Sequence, residues 1–198
     1  MEEILEPPPF PVAIADGFIQ TGETRIIMQC HDRVFNDVDI RDESDELLFT
    51  VESKGVASFS WRRIVKDATG TPLFHFRKFF NYGVNRRWVV ENPGGQEVCS
   101  LRHVSLFRKP HAVDVVVCNE ADNGKETIVE VRPKDQAGLT VFVNIRGALV
   151  AEIQMTEVNL SRKRDRSVWT ARIAGGVDLA LVSANVHLHR IWDIKFTA

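Results

Sequence analysis

Between Thr24 and Ile173 apolar and polar residues alternate in short runs, and turn-forming residues break the alternation at close intervals. A period of two buries one face of each run and leaves the other in water, so this stretch is committed to antiparallel strands. Twelve runs can be read: TRIIMQC from Thr24, DVDIRD from Asp37, LLFTVES from Leu47, RRIVKD from Arg62, PLFHFRK from Pro72, RRWVVEN from Arg86, EVCSLRH from Glu97, AVDVVVC from Ala112, ETIVEVR from Glu126, LTVFVNI from Leu139, ALVAEIQM from Ala148 and SVWTARI from Ser167. Residues 42–46, 67–71, 92–96 and 119–125 lie between runs, and their Asp, Asn, Pro and Gly supply turn backbone.

The meander carries an internal repeat. Asp42, Asp67 and Asn92 are 25 residues apart; each is followed at the sixth, seventh and ninth positions by apolar residues, from Leu48, Phe49 and Val51 in the first copy to Val98, Cys99 and Leu101 in the third. Three hairpins therefore share one register, each opened by a side chain able to accept from the turn backbone. Asp45 stands in the first turn where Gly70 and Gly95 stand in the others. Twelve strands in an open sheet would leave two exposed edges, whereas a sheet closed on itself leaves none.

At 198 residues with 44% hydrophobic and 26% charged side chains, the chain reads as one domain over residues 10–198. Residues 1–9, with Pro7, Pro8 and Pro9, read as a disordered lead-in without the basic start of a signal peptide. From Gly175 onward two patterns compete. Val177, Leu181, Ala184, Leu188 and Ile191 keep helical spacing, while Val182, Ala184, Val186 and Leu188 keep strand spacing.

Three segments together resemble the LURP-one-related branch of the tubby C-terminal-like superfamily: Phe10-Pro11-Val12-Ala13-Ile14, the Asp67–Phe74 hairpin, and Gly176-Val177-Asp178-Leu179-Ala180-Leu181-Val182. The resemblance spans roughly residues 10–194. It implies a mainly β fold, a closed twelve-stranded antiparallel barrel threaded by one hydrophobic C-terminal helix. It also resolves the tail towards a helix from Asp178 to about Trp192, ~22 Å long at ~1.5 Å per residue. Asn185, His187 and His189 depart from the apolar helix such a barrel would be expected to enclose.

No chemistry-bearing pattern points to an enzyme. The six histidines have no ligand spacing, the three cysteines no CxxC pair, and Gly94-Gly95 and Gly175-Gly176 are turn glycines rather than a phosphate loop. Neither a cofactor nor a metal site is expected, and odd cysteines suit a reducing, intracellular setting. The acidic run Asp37, Asp39, Asp42, Glu43, Asp45 and Glu46 offers oxygen ligands, and the resemblance extends to a scramblase branch associated with calcium. However, Arg41 and Asp42 stand where an EF-hand wants a ligand and a glycine, so the run reads as a solvated hairpin tip. Trp61, Trp88, Trp169 and Trp192 read mostly as core.

Charge is informative only when resolved along the chain. Residues 1–53 hold 3 basic and 13 acidic side chains, residues 54–110 hold 11 and 3, and residues 111–198 hold 11 of each. The net charge of −2 gives no support to nucleic-acid binding. Arg62, Arg63, Lys66, Arg77, Lys78, Arg86, Arg87, Arg108 and Lys109 recur on successive strands and their connections, and Arg162, Lys163 and Arg164 cluster before the last strand. Grouped Lys and Arg bind phosphate head groups. Tubby-type domains recognise phosphoinositides, so the resemblance implies a barrel that meets anionic phospholipid peripherally. The alternative is a protein-interaction or regulatory scaffold with no lipid ligand. A cytoplasmic location at a membrane surface fits the first reading, and the SRKRDR run also has the composition of a nuclear-localisation signal.

Overall fold

The computed structural model describes residues 3–32, 36–53, 62–80, 86–103, 112–159 and 166–184. Twelve strands follow in chain order: β1 (Thr24–Cys30), β2 (Asp37–Asp42), β3 (Leu47–Ser53), β4 (Arg63–Asp67), β5 (Pro72–Phe80), β6 (Arg86–Glu91), β7 (Glu97–His103), β8 (Val113–Asn119), β9 (Lys125–Pro133), β10 (Thr140–Ile145), β11 (Ala148–Asn159) and β12 (Arg166–Ile173). Each pairs antiparallel with its neighbours in sequence, and β1 closes the barrel on β12 from Thr24↔Ile173 to Cys30↔Ser167. Every run read from alternation is a strand, with ends displaced by a few residues at most.

The 25-residue repeat extends to hydrogen bonds. Asp42 Oδ1 accepts from Ser44 N and Glu46 N, Asp67 Oδ1 from Thr69 N and Thr71 N, and Asn92 Oδ1 from Gln96 N. Each turn closes by a backbone bond to its first residue: Asp45 N to Asp42 O, Gly70 N to Asp67 O and Gly95 N to Asn92 O, at 3.2, 3.0 and 2.9 Å. The donors are left-handed, with φ of 65°, 85° and 83°. Aspartate is among the few residues that tolerate this region, so Asp45 keeps the geometry that glycine supplies in the other copies. Pairing then shifts by one residue at Ile40/Arg41, Val65/Lys66 and Val90/Glu91, again 25 apart, which places a bulge at the same point of every hairpin. A similar carboxylate-closed turn outside the repeat lies at Asp135, whose carboxylate accepts from Leu139 N and Thr140 N.

Inward positions form one core. Phe49, Phe74, Phe76, Trp88 and Trp169 are its largest fully buried aromatic side chains, and truncating a phenylalanine or tryptophan of this kind costs ~3–5 kcal/mol. A short helix at residues 179–184 joins that core, and its residues Leu179 to Ala184 are buried on every side. A helix without a solvated face must be enclosed by protein. It starts where the implied one should; its continuation, with Asn185, His187, His189 and Trp192, lies outside the described residues.

One end of the barrel, the floor, is closed by residues 10–20. Val12 bridges Val177, and Ile19 bridges Asp178. Two fully buried side chains hold this segment. Asn119 Oδ1 accepts from Ala13 N while its Nδ2 donates to Pro11 O, both at 2.9 Å. Asp178 Oδ2 accepts from Ile14 N and Ala15 N at 2.9 and 3.0 Å, and its Oδ1 from Ala180 N at 2.7 Å, which caps the helix. The two outer segments that carried the resemblance are thus partners across the floor.

From Glu3 onward the lead-in lies against the barrel wall. Glu6 N donates to Leu149 O at 2.9 Å, Arg172 Nη1 to Glu3 O at 3.2 Å, and Leu5 packs against the core. Prolines forbid a helix there but not an extended strap, one of whose donors β11 satisfies and one of whose carbonyls β12 satisfies.

Candidate functional site

An even number of antiparallel strands gives the barrel two ends of different chemistry. Turns 43–46, 68–71, 92–96, 120–124 and 146–147 lie at the floor, and the other ends of the strands, at Cys30, Asp37, Ser53, Arg63, Phe80, Arg86, His103, Val113, Pro133, Thr140, Asn159 and Arg166, mark the opposite rim. The floor turns hold Glu43, Asp45, Glu46, Glu120 and Asp122, with Asp67 beside them and Arg146 as their arginine. Towards the rim, Arg62 precedes β4 and Arg63 starts it, Arg77 and Lys78 lie in the last stretch of β5 before Phe80, Arg86 and Arg87 start β6, and Arg102 and His103 end β7. Asp32, Asp37 and Glu52 occupy the rim beside β2 and β3, so the basic sector spans only part of it.

Within that sector the strand pleat separates residues that the sequence grouped. Arg63 faces inward with Val65, is 1% exposed, and donates from Nε to Asn36 Oδ1 at 3.2 Å. Burial pushes its guanidinium pKa down to about 10, with Asp32 opposing the shift, so it stays charged at neutral pH. Arg63 therefore belongs to the lumen and does not share a face with its neighbour Arg62. The physical reason is the period of two, which sends adjacent strand residues to opposite sides.

Arg62 and Arg77 converge outside the barrel on Glu91. Arg77 Nη2 lies 2.5 Å from Glu91 Oε1, and Arg62 Nη2 lies 3.9 Å from Oε2. The carboxylate side chain is 8% exposed between arginines that are 37% and 39% exposed. Outward positions are normally wet in such a barrel, yet Val89, Val98 and Ser100 on β6 and β7 are also buried. Lys66 is neutralised by Glu52 at 2.6 Å. Lys78, Arg86 and Arg87 sit at the rim by register, opposite Trp88, Phe80 and Phe79 in that order. Arg108, Lys109, Arg162, Lys163 and Arg164 lie outside the described residues.

Glu91 escaped the sequence reading, although the repeat marks it. Arg41, Lys66 and Glu91 are equivalent bulge positions 25 apart, and the third reverses the charge of the first two. Against the three-hairpin repeat, the sign change at one position is the signal.

Other reactive side chains are quiet. Burial pushes the Cys99 thiol far up, and burial together with Glu126, Glu97 and Glu120 raises Cys118, so neither is a ready thiolate. His31 contacts Asp39 at 3.2 Å. Among the described residues no three His, Cys, Asp or Glu side chains could hold a metal ion. The acidic tip is engaged locally, with Asp42 capping its turn and Arg41 facing Asp45 and Asp39. No helix among the described residues is long and apolar enough to cross a membrane.

The profile of the LURP-one-related family matches residues 24–188, most of the chain. The chain belongs to that family. A solved Arabidopsis thaliana structure is similar at TM-score 0.61 and 18% identity, over 93% of this chain and 99% of that one, and confirms the fold alone. A domain from Vibrio parahaemolyticus aligns at TM-score 0.26 and 10% identity, over 88% of this chain and 93% of that one, too slight a likeness to build on. Comparison with curated proteins gives no match. The family match includes β1 to β12 and the short helix, whereas the strap and the floor segment 10–20 precede it.

Proposed function

We propose that this LURP-one-related barrel is a non-enzymatic module that docks peripherally, rim first, on anionic phospholipid. The observation that carries the reading is the axial separation of charge: basic strand ends of β4 to β7 at one end, acidic turns at the other. Such a distribution orients a near-neutral protein in the field of an anionic surface. Each basic residue brought near that surface contributes about 1 kcal/mol, screened beyond roughly a Debye length.

Co-sedimentation with phosphatidylcholine vesicles containing phosphatidylserine tests it. Wild-type protein is expected to bind at low salt and release at high salt. Replacing Lys78, Arg86 and Arg87 together by alanine should weaken binding roughly a hundredfold, from three charges at ~1 kcal/mol each. Absence of wild-type binding, or a triple variant that binds like wild type, overturns the reading.

A further inference from the structure

The geometry points to Glu91 as a built-in anion: its carboxylate occupies the fork between Arg62 and Arg77 that a lipid phosphomonoester would otherwise fill. This inference rests on the docking reading above and adds a second anion site, masked in the free protein, on the outer face of β4 to β6.

The fork has the features of an anion site. Two guanidinium groups approach one carboxylate from β5 and from the start of β4, and neither shares a strand with it. Guanidinium groups match carboxylate and phosphate by the same planar donor geometry. The occupancy is lopsided, since Arg77 is in contact at 2.5 Å while Arg62 stands off at 3.9 Å. Arg62 Nε is buried and has no hydrogen-bond partner, so this guanidinium has donor capacity that Glu91 does not use. A phosphomonoester carries close to two negative charges and three acceptor oxygens at neutral pH, against one charge and two oxygens for the carboxylate. Both arginines are more than a third exposed, so such a group can reach them.

Position supports the assignment. Arg77 precedes Lys78 at the rim, and Arg62 immediately precedes the rim end of β4. The two guanidinium groups therefore come from the rim side, while Glu91 meets them from the floor end of β6. In the two equivalent hairpins the bulge residue is Arg41 or Lys66, so only the third hairpin places a carboxylate at this point.

The test is Glu91→Gln, which keeps shape and a hydrogen-bond acceptor while removing the charge. On phosphatidylcholine vesicles containing phosphatidic acid, the variant should bind about fivefold tighter than wild type at low salt, the effect of one released positive charge. Glu126→Gln, the same change at the floor end of β9, should give no gain. Arg77→Gln should weaken binding about fivefold, and the Arg77→Gln, Glu91→Gln double variant should return to wild-type affinity. If Glu91→Gln does not fold, unchanged binding by Arg77→Gln is enough to overturn the inference. A gain for Glu126→Gln equal to that of Glu91→Gln overturns it as net charge alone. A gain in affinity for inorganic phosphate without one for vesicles overturns the lipid assignment. Wild-type binding with no gain for Glu91→Gln overturns this inference and spares the docking reading. A wild-type protein that ignores vesicles while Glu91→Gln binds overturns the docking reading and keeps the masked site, and failure of both proteins overturns both.

Discussion

The floor and the rim of this barrel are built from the same twelve strands and solve opposite problems. At the floor, polar side chains are buried and paired with backbone: Asn119 and Asp178 are 0% exposed, and each satisfies donors on the segment that closes the barrel. On the outer wall towards the rim, charged side chains meet other charged side chains, as the partly exposed Arg77 and Arg62 do with Glu91, which ends β6 beside the floor turn 92–96. Hydrogen bonds to buried backbone are costly to break, while exposed ion pairs contribute little to stability and exchange readily. The floor should therefore govern folding, and the rim should govern what the folded protein meets.

The largest test of that division is Asp178→Ala. The substitution leaves the N–H groups of Ile14, Ala15 and Ala180 without their acceptor inside the floor. At ~1–3 kcal/mol for each stranded group, a loss of at least ~3 kcal/mol is expected in urea unfolding. The Lys78, Arg86 and Arg87 triple alanine variant should unfold within about 1 kcal/mol of wild type. Equal losses from the two ends would erase the distinction.

Gly175→Ala should have the next largest effect. A β-carbon there would lie 2.5 Å from Thr21 O and 2.8 Å from Thr21 C, both backbone atoms of the residue that follows the floor segment. The strand-to-helix corner must shift to admit it, and overpacking of this kind costs ~1–3 kcal/mol. A thermal midpoint equal to wild type would show that the floor can breathe as freely as an outer loop.

How much of this was legible depends on the range of the interaction. Strands, turns and the three-hairpin register are local, since alternation and an Asx residue four positions from its partner suffice to specify them, and they were readable from Asp67–Thr71 alone. The floor was not, because Asp178 meets Ile14 across 164 residues and nothing near either residue announces the other. The same holds for the strap, whose partners Leu149 and Arg172 are remote in sequence. At the rim the basic residues were visible but their faces were not separated. Arg62 and Arg63 read as a pair until the pleat sent one to Glu91 and the other to Asn36.

The smallest effect sharpens the comparison by sign. Asp178 is buried, and desolvation raises its pKa in spite of the N–H donors of Ile14, Ala180, Ala15 and Leu181. A carboxyl whose folded pKa lies above its unfolded value contributes stability that is full below the unfolded pKa and is lost as pH rises through the folded one. Asp67 is the reverse: the Thr69 hydroxyl and the turn N–H groups hold its pKa below the ordinary carboxylate value. Its contribution is present above the unfolded pKa and is lost as pH falls through the folded one. Urea midpoints measured on either side of about pH 4, the unfolded aspartate value, should therefore shift in opposite directions for the two asparagine variants. Relative to wild type, Asp178→Asn should gain as pH rises above that point, because wild type loses the benefit of a protonated Asp178. Asp67→Asn should gain as pH falls below it, because wild type then loses the capped turn. If both variants track wild type across this range, the buried floor carboxyl and the exposed turn carboxyl are not electrostatically distinct, and the contrast between backbone-held and charge-held polar groups fails where it is most specific.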